Sequence, residues 1–224
     1  MEWNALCLCL DKRKEHWLEL QKSFENTPVK FKPFIAGDGS DTELKYDYID
    51  EPNPDVSRWG YGRDGFKHHH WNALQCHKRM IQYAKDSNWS SVLLLEDDAY
   101  LTSRFLDGFD YLDGFVDYLN LDVLYLGWWI GDENDSYNTA IEERFKDNQE
   151  FHLERVGNNL GGLHGALVFS HVYDYILSLP ANNPIDSQLN MTNGILRYIV
   201  QPKLIHVKSV YSFTEGVILN RKEL

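Results

Sequence analysis

One segment constrains this chain more than any other. Ser91-Val92-Leu93-Leu94-Leu95 runs directly into Glu96-Asp97-Asp98, with no turn residue between them. A short, wholly apolar run bounded by polar residues is the pattern of a strand covered on both faces, as in a parallel sheet with helices on either side. In such sheets ligands sit at the carboxyl ends of the strands, and here that end carries three carboxylates. Strand alternation predicts Glu96 and Asp98 on one side and Asp97 on the other. Two carboxylates on one side repel unless a cation lies between them or a proton is shared. Hard divalent ions such as Mg²⁺ or Mn²⁺ take carboxylate oxygens, with substrate phosphates completing the shell. The plainer alternative is a solvated strand end opening the next helix, where acids are also favoured.

The rest of the chain repeats the strand–helix theme. Ala5–Leu10 reads as a buried strand and Glu15–Asn26 as a helix, with Trp17, Leu20, Gln21 and Phe24 at helical spacing. Val29–Ile35 reads as a strand near an edge, because Pro33 cannot donate to a ladder. Ala36–Gly65 is loop-rich, and a loop of that length in a compact domain is more often functional than idle. Trp71–Ser87 and Ser103–Leu119 follow as helices, with Ser103 as a cap. Val123–Leu126, Leu163–Phe169 and Leu204–Val207 read as strands, and His171–Leu179 and Asp186–Val200 as helices. Residues 131–150 form a polar, acidic excursion. This order predicts one α/β domain over residues 1–224, with a mostly parallel central sheet flanked by helices.

Composition excludes several classes of function. The chain of 224 residues has 34 acids against 22 bases, a net charge of −12. Residues 96–150 hold 15 of those acids and 3 of the bases, so the remainder is balanced. Duplex nucleic acid requires a basic stripe, which is missing. No apolar run approaches the ~20 residues of a membrane span. Three cysteines, Cys7, Cys9 and Cys76, make no disulfide framework. Free thiols, with no amino-terminal signal pattern, predict a reducing, cytoplasmic setting.

Leu-Leu-Leu-Glu-Asp-Asp-Ala at 93–99 resembles the hallmark of glycosyltransferase family 25, the lipopolysaccharide and collagen galactosyltransferase type. Cys-Leu-Asp-Lys-Arg-Lys-Glu-His-Trp at 9–17 is similar to the family's opening strand. Asn72-Ala73-Leu74-Gln75-Cys76-His77 is similar to its helix before the acidic motif, Gly161–Ser170 to a later strand, and Pro184-Ile185-Asp186 to its Pro-Val/Ile-Asp. Order and spacing agree over about residues 5–210. The resemblance implies a GT-A, Rossmann-type fold that moves a hexose, galactose or glucose, from a UDP-sugar to a hydroxyl on a glycan or protein, with inversion. It implies Mn²⁺ or Mg²⁺ on Asp98 and Glu96, with His206 a candidate third ligand. Leu10, Asp11, Arg13, Asp38, Glu96 and Asp97 become candidates for the nucleotide pocket, with Arg13 offsetting diphosphate charge. Inversion needs a general base for the acceptor hydroxyl, and Asp186 is the candidate. Its alternative role is an ordinary helix cap.

Other residues invite weaker readings. Trp128 and Trp129 offer one acceptor platform, the other being core. Three adjacent residues, His68 to His70, cannot all face one ion, and a contact with donor or acceptor is the remaining functional reading; His77 reads as a packed helix histidine. Two further classes compete with a glycosyltransferase. A nucleotidyltransferase or phosphoryl-transfer enzyme has only Lys12 in its favour, and a non-catalytic carbohydrate-binding protein leaves the acidic triplet without a purpose.

Overall fold

A computed structural model describes residues 3–36, 67–114, 120–130, 150–156, 160–180, 183–192, 194–208, 211–212 and 217–218. The loop-rich segment with Asp38, the end of the helix read to Leu119 and nearly all of the acidic excursion lie outside them. So do the side chains of Lys12, His68, His69 and Trp129.

The central sheet has seven strands: β1 (Trp3–Leu10), β2 (Val29–Ala36), β3 (Ser91–Glu96), β5 (Val123–Tyr125), β7 (His152–Arg155), β9 (Ala166–Phe169) and β10 (Arg197–Gln201). Their order across the sheet is β2-β1-β3-β9-β5-β10-β7. Pairings of β1 with β2 and β3, and of β5 with β10, are parallel. β9 runs antiparallel between β3 and β5, and β7 antiparallel at the far edge. Five of the seven strands therefore point one way, and the sheet is mostly parallel. Pro33 lies on β2, an edge strand, as its missing N–H requires.

Alternation along the strands builds two cores. Leu6, Val92, Leu94, Val123 and Ile199 face α2 (Lys67–Asp86), α4 (Tyr173–Ser178) and α5 (Ile185–Met191). Ala5, Cys7, Leu93, Leu95 and Leu124 face α1 (Lys14–Phe24) and α3 (Phe105–Asp113), which contribute Trp17, Leu20, Phe24, Phe105 and Leu112. Val92 to Leu95 are fully buried, and each such side chain contributes about 1.5–3 kcal/mol of transfer free energy. The result is an α/β sandwich with helices on both faces.

Two expectations fail locally. Asp186–Val200 is not one helix: α5 stops at Met191, Gly194 takes φ +98°, and Arg197–Gln201 enters the sheet as β10. Ser103 is exposed and does not cap α3; Thr102 opens it, its Oγ accepting from the Arg104 N–H at 3.3 Å and its carbonyl from Phe105 at 3.1 Å. The late strand also lies elsewhere. β11 (Ile205–Val207) pairs with a short strand, β4 (Ala99–Leu101), rather than joining the main sheet, and β6 (Trp129–Ile130) and β8 (Leu160–Gly161) form another antiparallel pair. No helix among the described residues is long and apolar enough to cross a membrane.

Candidate active site

The carboxyl ends of the parallel strands gather most of the residues singled out by the sequence. β1 ends at Leu10 and leads through a 3-10 turn, Asp11–Arg13, into α1. β3 ends at Glu96. β9 runs the other way, so its amino end, behind Gly161–Gly165, reaches the same edge; Ala166 pairs with both Leu94 and Tyr125. Asp186 joins this edge from the first turn of α5, where its Oδ2 accepts from the Gly162 N–H at 3.1 Å.

The acidic run does not follow strand alternation to its end. The ladder stops at Glu96, and Asp97 and Asp98 form a turn. Glu96 looks toward α2, its Oε1 3.7 Å from His77 Nε2. Burial pushes His77 down to about 4, so the ring is neutral at pH 7 and the contact is not an ion pair. His77 is the packed helix histidine that the sequence suggests. Asp97 turns to the opposite face, toward α1. Asp98 follows in the same turn, close enough for its charge to act on His16 of α1 and on Cys7 of β1. Strand alternation therefore ends at Glu96 and does not extend to Asp98.

Asp97 is the most confined of the three. Its Oδ1 receives Arg13 Nη1 at 2.9 Å and its Oδ2 receives the Leu10 N–H at 3.2 Å, and its side chain is 6% exposed. Burial pushes its carboxyl up to about 7, with Arg13 opposing that rise and Asp98 adding to it. Both oxygens accept within the protein and the side chain is buried, so Asp97 holds the turn. Arg13 also reaches His16 Nδ1, at 3.4 Å. Arginine only donates, so that nitrogen accepts and the imidazole proton sits on Nε2. Burial, then Arg13 and Lys208, keep His16 below its usual value.

Asp98 leads into β4, and its carbonyl accepts the Lys208 N–H at 2.8 Å. His206 stands opposite Tyr100 on this small ladder, the two rings stacked with centroids 5.7 Å apart. Lys208 reaches Glu19 of α1 at 2.5 Å. Between them runs a groove of about 390 Å³ lined by Glu19, Leu20, Ser23, Tyr100, Leu101 and Lys208, among others. His16, Glu19, Tyr100 and Lys208 were not singled out by the sequence. The spacing of Arg13, His16 and Glu19 along one helical face was the available signal; nothing marked Lys208.

Among the described residues, no group of three or more His, Cys, Asp or Glu side chains is arranged to hold a metal. An ion held by one or two protein carboxylates together with substrate oxygens would not need such a group.

Trp128 is 2% exposed, its Nε1 donating to the Val200 carbonyl at 3.5 Å and the Lys203 ammonium lying 4.1 Å from its ring centre. It is a core tryptophan and offers no open face to a sugar. Asp186 is not the N-cap, which is Pro184; besides Gly162, its Oδ1 accepts the Ser187 N–H at 2.8 Å. Burial raises the Tyr125 phenol well above its usual value, Arg197 opposing and the nearby Asp186 charge adding to the rise.

No known family profile matches the chain, and no curated protein does. Among solved structures it is similar to A197 from STIV at 9% identity and TM-score 0.49, covering 89% of this chain and 81% of that one. A glycosyltransferase involved in the glycosylation of the major capsid of PBCV-1 gives 9% identity and TM-score 0.48, covering 95% of each chain. An apo UDP-glucose pyrophosphorylase gives 9% identity and TM-score 0.48, covering 96% and 94%. At this identity and with TM-scores under 0.5, none of them transfers an activity to this chain.

Proposed function

We propose that residues 1–224 form one glycosyltransferase domain that moves a hexose from a UDP-sugar to a hydroxyl of a glycan or protein, with inversion. The observation that carries this reading is the convergence, at one carboxyl edge, of the first strand–loop, the acidic turn and Asp186. Ligands of open α/β sheets bind at such an edge. In this reading Leu10, Asp11 and Asp38 line the nucleotide side, with Glu96 at its floor. Asp98 is the carboxylate for a divalent ion, Mn²⁺ or Mg²⁺, and His206 stands in reserve on the neighbouring ladder. Such an ion, when bound, offsets the charge of the departing diphosphate. Asp186 takes the proton of the acceptor hydroxyl as that oxygen attacks the anomeric carbon. Its two N–H bonds support the role by fixing the carboxylate, and a carboxylate has about four lone-pair sites, so it can accept again.

The test is a hydrolysis and transfer screen across UDP- and GDP-sugars with Mn²⁺. Release of UDP from one sugar donor is the expected result. Consumption of a nucleoside triphosphate with no sugar transfer would replace this reading with a nucleotidyltransferase.

A further inference from the structure

We propose that Arg13 is a positioning residue: through Asp97 it fixes the acidic turn against the end of β1, and it does not contact the donor's diphosphate. The inference rests on the reading that this edge receives a nucleotide. A basic residue after the first strand invites the opposite role, that of a phosphate ligand, but the geometry points inward. Arg13 and Asp97 are 12% and 6% exposed at their side chains, with Nη1 and Oδ1 2.9 Å apart. The second carboxylate oxygen takes the Leu10 N–H, and the second guanidinium nitrogen leans on His16, one turn into α1. Beyond Asp97 the chain is tied again, where the Asp98 carbonyl accepts the Lys208 N–H. Arg13 thus closes a continuous set of contacts from α1, across the end of β1, to the residue proposed to carry the metal. Swinging the guanidinium out to a phosphate would break a buried pair and leave Asp97 either charged and unpaired or protonated, each at a cost the intact pair avoids.

The two roles predict opposite signs for one isosteric substitution. Asp97→Asn removes the counter-charge and frees the guanidinium. A phosphate-binding Arg13 would then hold UDP as tightly as before or more tightly. A positioning Arg13 loses its handle on the turn, so UDP in the presence of Mn²⁺ should bind about 10–100-fold more weakly. Arg13→Gln should show a loss of similar size. The double variant should be no worse than the weaker single, because both act through one contact. Calorimetric titration with UDP at a temperature where each variant is folded reads all three. If Arg13→Gln does not fold, Asp97→Asn alone decides. Unchanged or tighter UDP binding by Asp97→Asn overturns the proposal.

A second measurement needs no ligand. In nucleotide-free protein, the Leu10 and Lys208 amides should exchange hydrogen at least about tenfold faster in Asp97→Asn, while Leu124 in the sheet centre stays protected. Unchanged exchange at both amides would overturn the proposal as well. Wild-type protein that binds no UDP would remove the nucleotide reading, and the exchange result would then judge the role of Arg13 by itself.

Discussion

A carboxylate that accepts two backbone N–H groups is both a tether and a possible base, and Asp186 can be tested as each. Asparagine has one acceptor oxygen, so in Asp186→Asn either Gly162 or Ser187 would point its N–H at an amide NH₂. The expected stability cost is about 1–2 kcal/mol, readable in denaturant titration. Loss of the base should lower transfer by about 10²–10⁴-fold at a temperature where the variant is folded, with UDP affinity nearly unchanged. Transfer near the wild-type rate would leave Asp186 as a tether alone. The thiols give an independent check on the residue scale. Cys7, Cys9 and Cys76 are all buried. Burial raises Cys76 to about 12 and Cys7 well above its usual range, and the thiolate is the reactive form. Native protein should therefore resist a charged thiol reagent, and all three sites should react after unfolding. Rapid labelling of the native chain at any of them would contradict this packing.

At the scale of elements, the edge depends on two backbones lying almost in contact. Gly165 O accepts from both Leu126 and Gly127, and a Cβ on Gly127 would lie 2.7 Å from the Ile205 carbonyl and 2.8 Å from the His164 ring. Backbone cannot yield as a side-chain tip can, so Gly127→Ala should destabilise the fold by about 1–3 kcal/mol. Gly108→Ala meets first the Leu204 side chain, which can shift where backbone cannot, and should cost less; equal midpoints for the two variants would refute the close approach. Much of this framework was legible in the sequence. Apolar runs such as Val92–Leu95 can be satisfied only between two helical layers, and Pro33 placed its strand at an edge. Two features were hidden for physical reasons. Ile195 to Val200 alternates poorly because β10 is largely buried, so a helix and a buried strand read alike there. The alternation that put Glu96 with Asp98 holds only while the ladder lasts, and nothing in three consecutive acids shows that it stops at Glu96.

On the scale of the molecule, nucleotide and metal should report on one another through stability. A ligand present at 100 times its Kd adds about 2.7 kcal/mol. For a domain of this size each kcal/mol is worth roughly 2–4 °C in Tm, so saturating UDP with Mn²⁺ should raise Tm by about 5–10 °C. Mn²⁺ alone should do little. The described residues bring no three metal-ligating side chains together, Glu96 lies 3.7 Å from His77, and Asp97 is paired with Arg13. Asp98 is the proposed ligand, a carboxylate whose chemistry suits an ion already half coordinated by phosphate. The chain's net charge of −12 could attract cations without specificity, so Ca²⁺ at equal ionic strength serves as the control for screening. Asp98→Ala should fold normally, since the side chain belongs to a turn rather than to either core, and it should keep only the part of the UDP shift that needs no metal. A rise of several degrees with Mn²⁺ alone, abolished by Asp98→Ala, would mean that the protein builds a resident metal centre by itself, and the picture of an ion delivered with the donor would fall.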